Sequence, residues 1–234
     1  MAAQRVLITG GGRGIGRAAA LRFAREGAHV VVAARTSDEL DSVVAEIDAA
    51  GGKGLAAQMN VTDLGSVEAA VWHAMEFTGG PIDVLLNNAG VFDVIPFDKM
   101  GQKAWSHILD VNLTGAYYVT QESLGALEEG ERPVIINVAS GAAKRGFPGN
   151  TAYCASKYGL KGFGDALRLD LAEKGIRVVT VYPGNTDTTI FDEVEGDWDR
   201  AKMNTADEVA EVIYGAVSAG DEVTDLDVPP PAGG

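Results

Sequence analysis

Tyr153 and Lys157 stand four residues apart in the stretch TAYCASKYG, with only small residues between them. On a helix that spacing stacks two side chains on one face, which would set a phenol beside an ammonium. A free phenol gives up its proton only near pH ~10, and a neighbouring cation favours the charged form. The pair is therefore a possible proton donor and acceptor. The same spacing also describes a packed ring beside a solvated lysine, so the pair gains chemical meaning only if the chain supplies a cofactor and partners for the ring.

A second stretch supplies a place for a cofactor. TGGGRGIG, Thr9 to Gly16, follows the apolar run RVLIT and opens into RAAALRFAREG. A strand, a glycine-rich turn and a helix N-terminus in that order make an anion site. Main-chain N–H groups and the helix dipole face the phosphate, and the missing side chains let a pyrophosphate approach. The spacing is TGxxxGxG, with Gly10, Gly14 and Gly16 at the defining positions, rather than the GxGxxG of the common dinucleotide fingerprint.

The elements that must position these groups follow from pattern. Apolar runs at 5–9, 29–34, 54–59, 83–88, 133–139, 176–182 and 222–228 alternate with helical patterns at about 14–26, 37–50, 63–77, 100–128, 152–173 and 206–219. Runs that are apolar throughout suit strands covered on both faces, so the pattern predicts α/β architecture: a doubly wound parallel sheet of seven strands with helices on both faces. At 234 residues, 46% of them hydrophobic, the chain suits one domain, 1–234.

Charge and cysteine usage narrow the function. A formal net charge of −14 argues against nucleic acid or an anionic membrane surface as partner. No apolar run approaches the roughly 20 residues of a membrane span, and MAAQRVLITG enters a strand without a signal-peptide pattern, so the expected location is cytoplasmic. Cys154 stands alone and His29, His73 and His107 fall in unrelated segments, which gives no metal-ligand cluster.

With these elements in place the chain resembles the short-chain dehydrogenases/reductases. TGxxxGxG is followed in family order by NNAG (Asn87 to Gly90), DVNLTG (Asn112), INVAS (Ser140), YCASK (Tyr153, Lys157) and YPGNTDT (Pro183, Gly184, Thr188), covering about residues 5 to 190. The resemblance implies a single-domain Rossmann fold and hydride transfer between a nicotinamide and a carbonyl or secondary alcohol. It makes Ser140, Tyr153, Lys157 and Asn112 the catalytic set. Tyr153 would be the acid/base, Ser140 would orient the substrate carbonyl, and Lys157 would hold the nicotinamide ribose and lower the phenol. Asn112 would hold a water linking Lys157 to solvent. For Tyr153 to work near neutrality its pKa would have to fall by roughly three units, about 4 kcal/mol. Thr9, Gly10, Gly12, Arg13, Gly14, Ile15 and Gly16 are assigned to the cofactor phosphates, and Asn60 and Val61 to the adenine. Asn88, Ala89 and Gly90 line the cleft; Pro183, Gly184, Thr186 and Thr188 belong to the nicotinamide end.

The choice between nicotinamide cofactors is argued from charge. A carboxylate ending the second strand selects NAD, whereas a nearby arginine accepts the 2′-phosphate of NADP. This strand ends VVVAART, with Ala34 in place of the carboxylate, Arg35 after it and Arg13 in the glycine turn. NADP(H) is expected over NAD(H), and Asp38 is read as a helix cap.

Departures from the family pattern are Asn60 for Asp, Thr186 for Val or Ile, and VTDLDVPPP where many relatives have a DGG-like strand end. The substrate loop, about 188–205, is short and includes the acidic DEVEGDWD at 192–199, read as a solvated loop; an open pocket or a small substrate is expected. Val91, Phe92, Ala142, Phe147, Asn150, Asn185 and Phe191 are the expected pocket walls. The tail PPPAGG at 229–234 reads as a flexible end or an interface strap. Two alternatives stay open: a reductase of carrier-protein-bound 3-oxoacyl chains, for which Lys144 and Arg145 are the nearby basic docking residues, and a non-catalytic nicotinamide-binding sensor. Resemblance further implies a homodimer or homotetramer built on the helices at about 100–128 and 152–173.

Overall fold

The computed structural model describes residues 3–231 apart from 193, 195 and 197. Its strands are β1 (Arg5–Thr9), β2 (His29–Ala34), β3 (Lys53–Gln58), β4 (Val84–Asn87), β5 (Val134–Val138), β6 (Arg177–Tyr182), the two-residue β7 (Thr186–Asp187) and β8 (Asn204–Thr205), and β9 (Asp225–Asp227). The main sheet has the order β3-β2-β1-β4-β5-β6-β9 and is parallel throughout. The helices are α1 (Gly14–Ala24), α2 (Ser37–Ala49), α3 (Leu64–Thr78), α4 (Gln102–Leu109), α5 (Gly115–Glu128), α6 (Thr151–Asp170) and α7 (Ala206–Ser218). This is the doubly wound, single-domain α/β arrangement expected from the pattern.

Why both faces are covered is visible along β1. Side chains alternate across a strand: Val6 and Ile8 pack with Phe23 of α1, Leu40 of α2 and Ile213 of α7, while Leu7 packs with Val67 of α3 and Val119 and Leu127 of α5. Each buried aliphatic contributes about 1.5–3 kcal/mol, so a strand with the consecutive apolar residues Val6, Leu7 and Ile8 is anchored from two sides.

Three sequence expectations need correction. The helix expected over 100–128 is two helices joined by a π-helical turn at Asp110–Thr114. Its cause lies in side chains: Asn112 is held by the Val91 main chain, and Gly115 passes so close to β3's exit that a Cβ there would lie 2.8 Å from Val61 Cγ2. The last strand shrinks from 222–228 to β9, an edge strand paired only with β6, and Pro229 cannot extend the ladder. The loop after β6 is not simply irregular, because β7 and β8 pair in parallel and close its base. In the tail, the Pro229 carbonyl accepts from Asn204 Nδ2 at 2.9 Å, while 232–234 lie outside the described residues.

Candidate active site

The cleft is built where β1, β4 and β5 end. Thr9 terminates β1, and its hydroxyl accepts from the N–H groups of Asn88 and Ala89, both at 3.0 Å, while donating to the Leu86 carbonyl. Asn88 Nδ2 returns two bonds, to the carbonyls of Thr9 and Gly10. Five bonds thus fasten the glycine turn to the end of β4. The turn needs its glycines. Gly10 and Gly14 have φ of 63° and 54°, and a Cβ on Gly16 would collide with the Gly10 carbonyl and lie 2.6 Å from Asn88 Nδ2.

Above this floor opens a cleft of about 630 Å³, within the range of small-molecule and cofactor sites. Gly10, Gly12, Arg13, Gly14 and Ile15 line it, as do Arg35, Asn60, Val61, Asn88, Ala89 and Gly90. Pro183, Gly184, Thr186 and Thr188 line it from the β6 side, and Ser140, Tyr153 and Lys157 from β5 and α6. Thr9 and Gly16 lie beneath the floor rather than in the lining. The exposed guanidiniums of Arg13 and Arg35 make no ion pair with a described residue, whereas neighbouring Arg17 is taken by Glu46. Asn60 Oδ1 is engaged by Thr62, accepting from its N–H at 3.2 Å and its hydroxyl at 2.9 Å. Asp38 is exposed and outside the lining, but Glu39, unnoticed in the sequence, faces in: a Cβ on Gly12 would lie 3.0 Å from its Oε2.

Ser140, Tyr153 and Lys157 converge on this cleft. Ser140 leaves β5 in an extended conformation and caps a short 3-10 turn, its hydroxyl accepting from Ala142 N–H at 3.1 Å. Tyr153 lies in the first turn of α6, and Lys157, 4% exposed, sits one turn on. Lys157 Nζ donates to the Val138 carbonyl at 2.9 Å and lies 5.7 Å from the Tyr153 ring centre.

The electrostatics reverse one expectation. Burial pushes the Tyr153 phenol up to about 12, against a smaller downward pull from the Ser140 hydroxyl. Burial also brings the Lys157 ammonium down to about 8. Lys157 does not bring the phenol toward neutrality in the cofactor-free protein, because desolvating the phenolate costs more than a cation at this separation returns. At neutral pH Tyr153 is a proton donor.

Asn112 does not enter the lining. Its Oδ1 accepts from Val91 N–H at 2.8 Å, and its Nδ2 donates to the Val91 carbonyl at 2.9 Å and to Ser156 Oγ at 3.0 Å. Ser156 in turn donates to the Tyr153 carbonyl at 2.7 Å. The side chain therefore ties the Gly90–Val91 segment to the helix that carries Tyr153. It lies just behind Gly90, where an added Cβ would be 3.4 Å from Asn112 Oδ1 and 3.7 Å from Lys157 Nζ.

Of the expected substrate walls, Val91, Phe92, Asn185 and Phe191 line the cleft and Ala142, Phe147 and Asn150 do not. Of the acidic run 192–199, Asp192, Gly196 and Asp199 are exposed as expected, while Trp198 is half-buried against Phe92 and Phe191. Phe92 meets the Tyr153 ring edge-on at 4.9 Å, Phe191 at 5.5 Å and Trp198 at 5.9 Å, and Phe191 and Trp198 are 4.7 Å apart. Arg200 pins the loop by bonds to Asp187 and Asp192, each 2.7 Å. A tryptophan as the one large apolar residue in an acidic run was the available signal for this.

Residues 4–198 match the family model described as short chain dehydrogenase. A 3beta-hydroxysteroid dehydrogenase of Mediterraneibacter gnavus is 35% identical over 193 residues, 82% of this chain and 69% of that protein. A 3-oxoacyl-(acyl-carrier-protein) reductase of Synechocystis sp. is 38% identical over 185 residues, 79% of this chain and 74% of that one. The crystal structure of a short chain dehydrogenase from Burkholderia cenocepacia in complex with NADP superposes with a TM-score of 0.87 at 33% identity, covering 96% of each chain.

Proposed function

The chain belongs to the short chain dehydrogenase family, and from that premise we propose that it is an NADP(H)-dependent oxidoreductase interconverting a carbonyl and a secondary alcohol. The observation that carries this reading is the convergence of a protonated Tyr153, the Ser140 hydroxyl and a buried Lys157 in one cleft with two arginines that make no ion pair among the described residues. The cleft fits a dinucleotide by its chemistry: a glycine cradle that any Cβ at Gly16 would obstruct, N–H groups at a helix start, and cations at Arg13 and Arg35. When bound, the nicotinamide supplies or receives the hydride.

The remaining steps belong to side chains. The Ser140 hydroxyl donates to the substrate carbonyl oxygen and fixes its direction. Tyr153 gives its phenolic proton to that oxygen as charge builds on it, and the Lys157 ammonium stabilises the phenolate left behind. Asn112 is a positioning residue, holding Gly90–Val91 against α6. Arg13 and Arg35 would receive the 2′-phosphate of a bound NADP(H), a preference supported by the lack of a carboxylate at Ala34 and by the NADP in the Burkholderia relative.

The Synechocystis relative favours a second reading, reduction of carrier-bound 3-oxoacyl chains. Against it, Lys144 is already spent on Asp227 at 2.5 Å and lies 3.9 Å over the Tyr182 ring. A non-catalytic sensor would have no use for the Ser140–Tyr153–Lys157 set. The proposal includes a cytoplasmic homodimer or homotetramer, for which exposed Tyr117, Tyr158 and Leu169 on α5 and α6 offer an apolar surface.

Two variants test the reading. Tyr153→Phe should lose 10²- to 10⁴-fold in turnover while NADPH titration shows binding retained. Arg13→Ala/Arg35→Ala should lower kcat/KM with NADPH by about 10²-fold and leave that with NADH nearly unchanged. A wild-type enzyme that works equally well with NADH would overturn the cofactor assignment.

A further inference from the structure

Three rings contributed by two segments almost a hundred residues apart cluster beside the reacting phenol: Phe92 and Phe191 line the cleft, and Trp198 backs them. Phe92, in the segment after β4, touches Tyr153, and Phe191 and Trp198, from the loop between β7 and β8, meet Phe92 edge-on. Phe191 is 8% exposed, and Trp198 has its indole N–H satisfied by the Val194 carbonyl at 2.9 Å, so it presents only ring surface to its neighbours. The loop's two cations are spent as well, Lys202 on Asp199. Arg200 donates to Asp187, Asp192 and the Thr188 carbonyl, and its guanidinium lies 6.0 Å from the Phe191 ring centre. Among the described residues, Lys157 is the only cation beside the phenol.

We propose that Phe92, Phe191 and Trp198 are the specificity-determining wall of the substrate subsite and select an uncharged, ring-bearing ketone or secondary alcohol. The inference rests on the oxidoreductase reading above and deepens it. Flat apolar rings gain offset or edge-on contacts with such a wall beyond simple area burial, and a flexible alkyl ketone gains less and loses more rotamer freedom. A carboxylate on the substrate would be desolvated against these rings, which offer it no free hydrogen-bond donor. Arg200 contributes by holding Phe191 and Trp198 in place, which makes it a positioning residue.

The test is a panel with NADPH: 1-tetralone and acetophenone against 2-octanone, and acetophenone against 4-acetylbenzoate. The wild type should favour the ring ketones over 2-octanone by tenfold or more in kcat/KM, and acetophenone over its carboxylate by a similar factor. Trp198→Ala should erase the ring preference through KM, Trp198→Phe should restore most of it, and Arg200→Gln should weaken it, with NADPH affinity and melting temperature close to wild type in all three. Efficient reduction of 4-acetylbenzoate, or a ring preference that survives Trp198→Ala, overturns the wall. A wild type that reduces none of these ketones with either cofactor overturns the parent reading instead, so the two failures are distinguishable. Should Trp198→Ala not fold, the wild-type panel alone still decides, because an absent ring preference is sufficient to reject the proposal.

Discussion

The glycine turn and the substrate loop face each other across one cleft, yet they are held by different forces. The turn is fixed by main-chain sterics and by five hydrogen bonds through Thr9 and Asn88. The loop is fixed by tilted and edge-on ring contacts, a two-residue ladder and exposed ion pairs of Arg200. Exposed pairs are weak and salt-sensitive, whereas a backbone clash has no low-energy escape. The part proposed to hold the dinucleotide is fixed by its main chain, and the part proposed to choose a substrate is built from exchangeable side chains.

Breaking each region in turn should expose this difference. Gly16→Ala drives a methyl into the Gly10 carbonyl and Asn88. Such overpacking costs on the order of 3 kcal/mol, or a melting temperature lower by about 6–12 °C for a chain of this size, with NADPH affinity reduced at least tenfold. Arg200→Gln should move the melting temperature by less than about 2 °C and act on substrate KM instead. Differential scanning calorimetry on both variants checks the contrast. Equal melting shifts would refute it.

Lys157 sits between the two regions, and its titration sharpens what each contributes. With Tyr153 held at about 12 and Lys157 at about 8, the phenol stays protonated across the working range while the lysine does not. The kcat/KM for NADPH in carbonyl reduction should be level below about pH 8 and fall above it, approaching tenfold per unit, because the phenolate loses its cation. Stability carries the matching signature in the cofactor-free protein. The folded-state value lies below the ordinary 10.5, so between about 8 and 10.5 the unfolded chain binds more protons. This group's contribution to stability therefore rises through that window and is lost as pH falls through 8. Lys157→Met should flatten both profiles. A wild-type rate that keeps rising above pH 8 would mean the lysine is not required in its charged form.

How much of this was legible in the sequence follows the same division. The sheet was readable because burial on two faces forces apolar runs such as VVV in β2, and the turn was readable because its constraint is local, Gly10, Gly14 and Gly16 being needed where they stand. Ser140, Tyr153 and Lys157 were found through the resemblance that their motifs carry, and the structure brings all three into one cleft lining. The aromatic wall was hidden because it depends on Phe92 meeting residues about a hundred positions later, which no period or spacing encodes. The direction of the Tyr153 shift was misread for a related reason. Helical spacing reveals a nearby cation, but not how dry the phenol is. The π turn at Asn112 was equally out of reach, since it is set by the Val91 main chain from another segment.

Glu39 offers the smallest and most discriminating test of the turn as a phosphate site. Its carboxylate faces Gly12 in the same lining as Arg13 and Arg35, so a 2′-phosphate received there would meet one anion along with two cations. Removing that charge should favour NADPH and leave NADH, which has no such phosphate, nearly untouched. For a partly exposed pair in salt the gain is a fraction of a kcal/mol, about threefold in affinity. Fluorescence titration of Glu39→Gln at low and high ionic strength checks it, and the gain should shrink as salt rises. If NADPH instead bound more weakly to the variant, Glu39 would be orienting an arginine rather than opposing the phosphate, and the turn would owe its selectivity to three charged side chains instead of two.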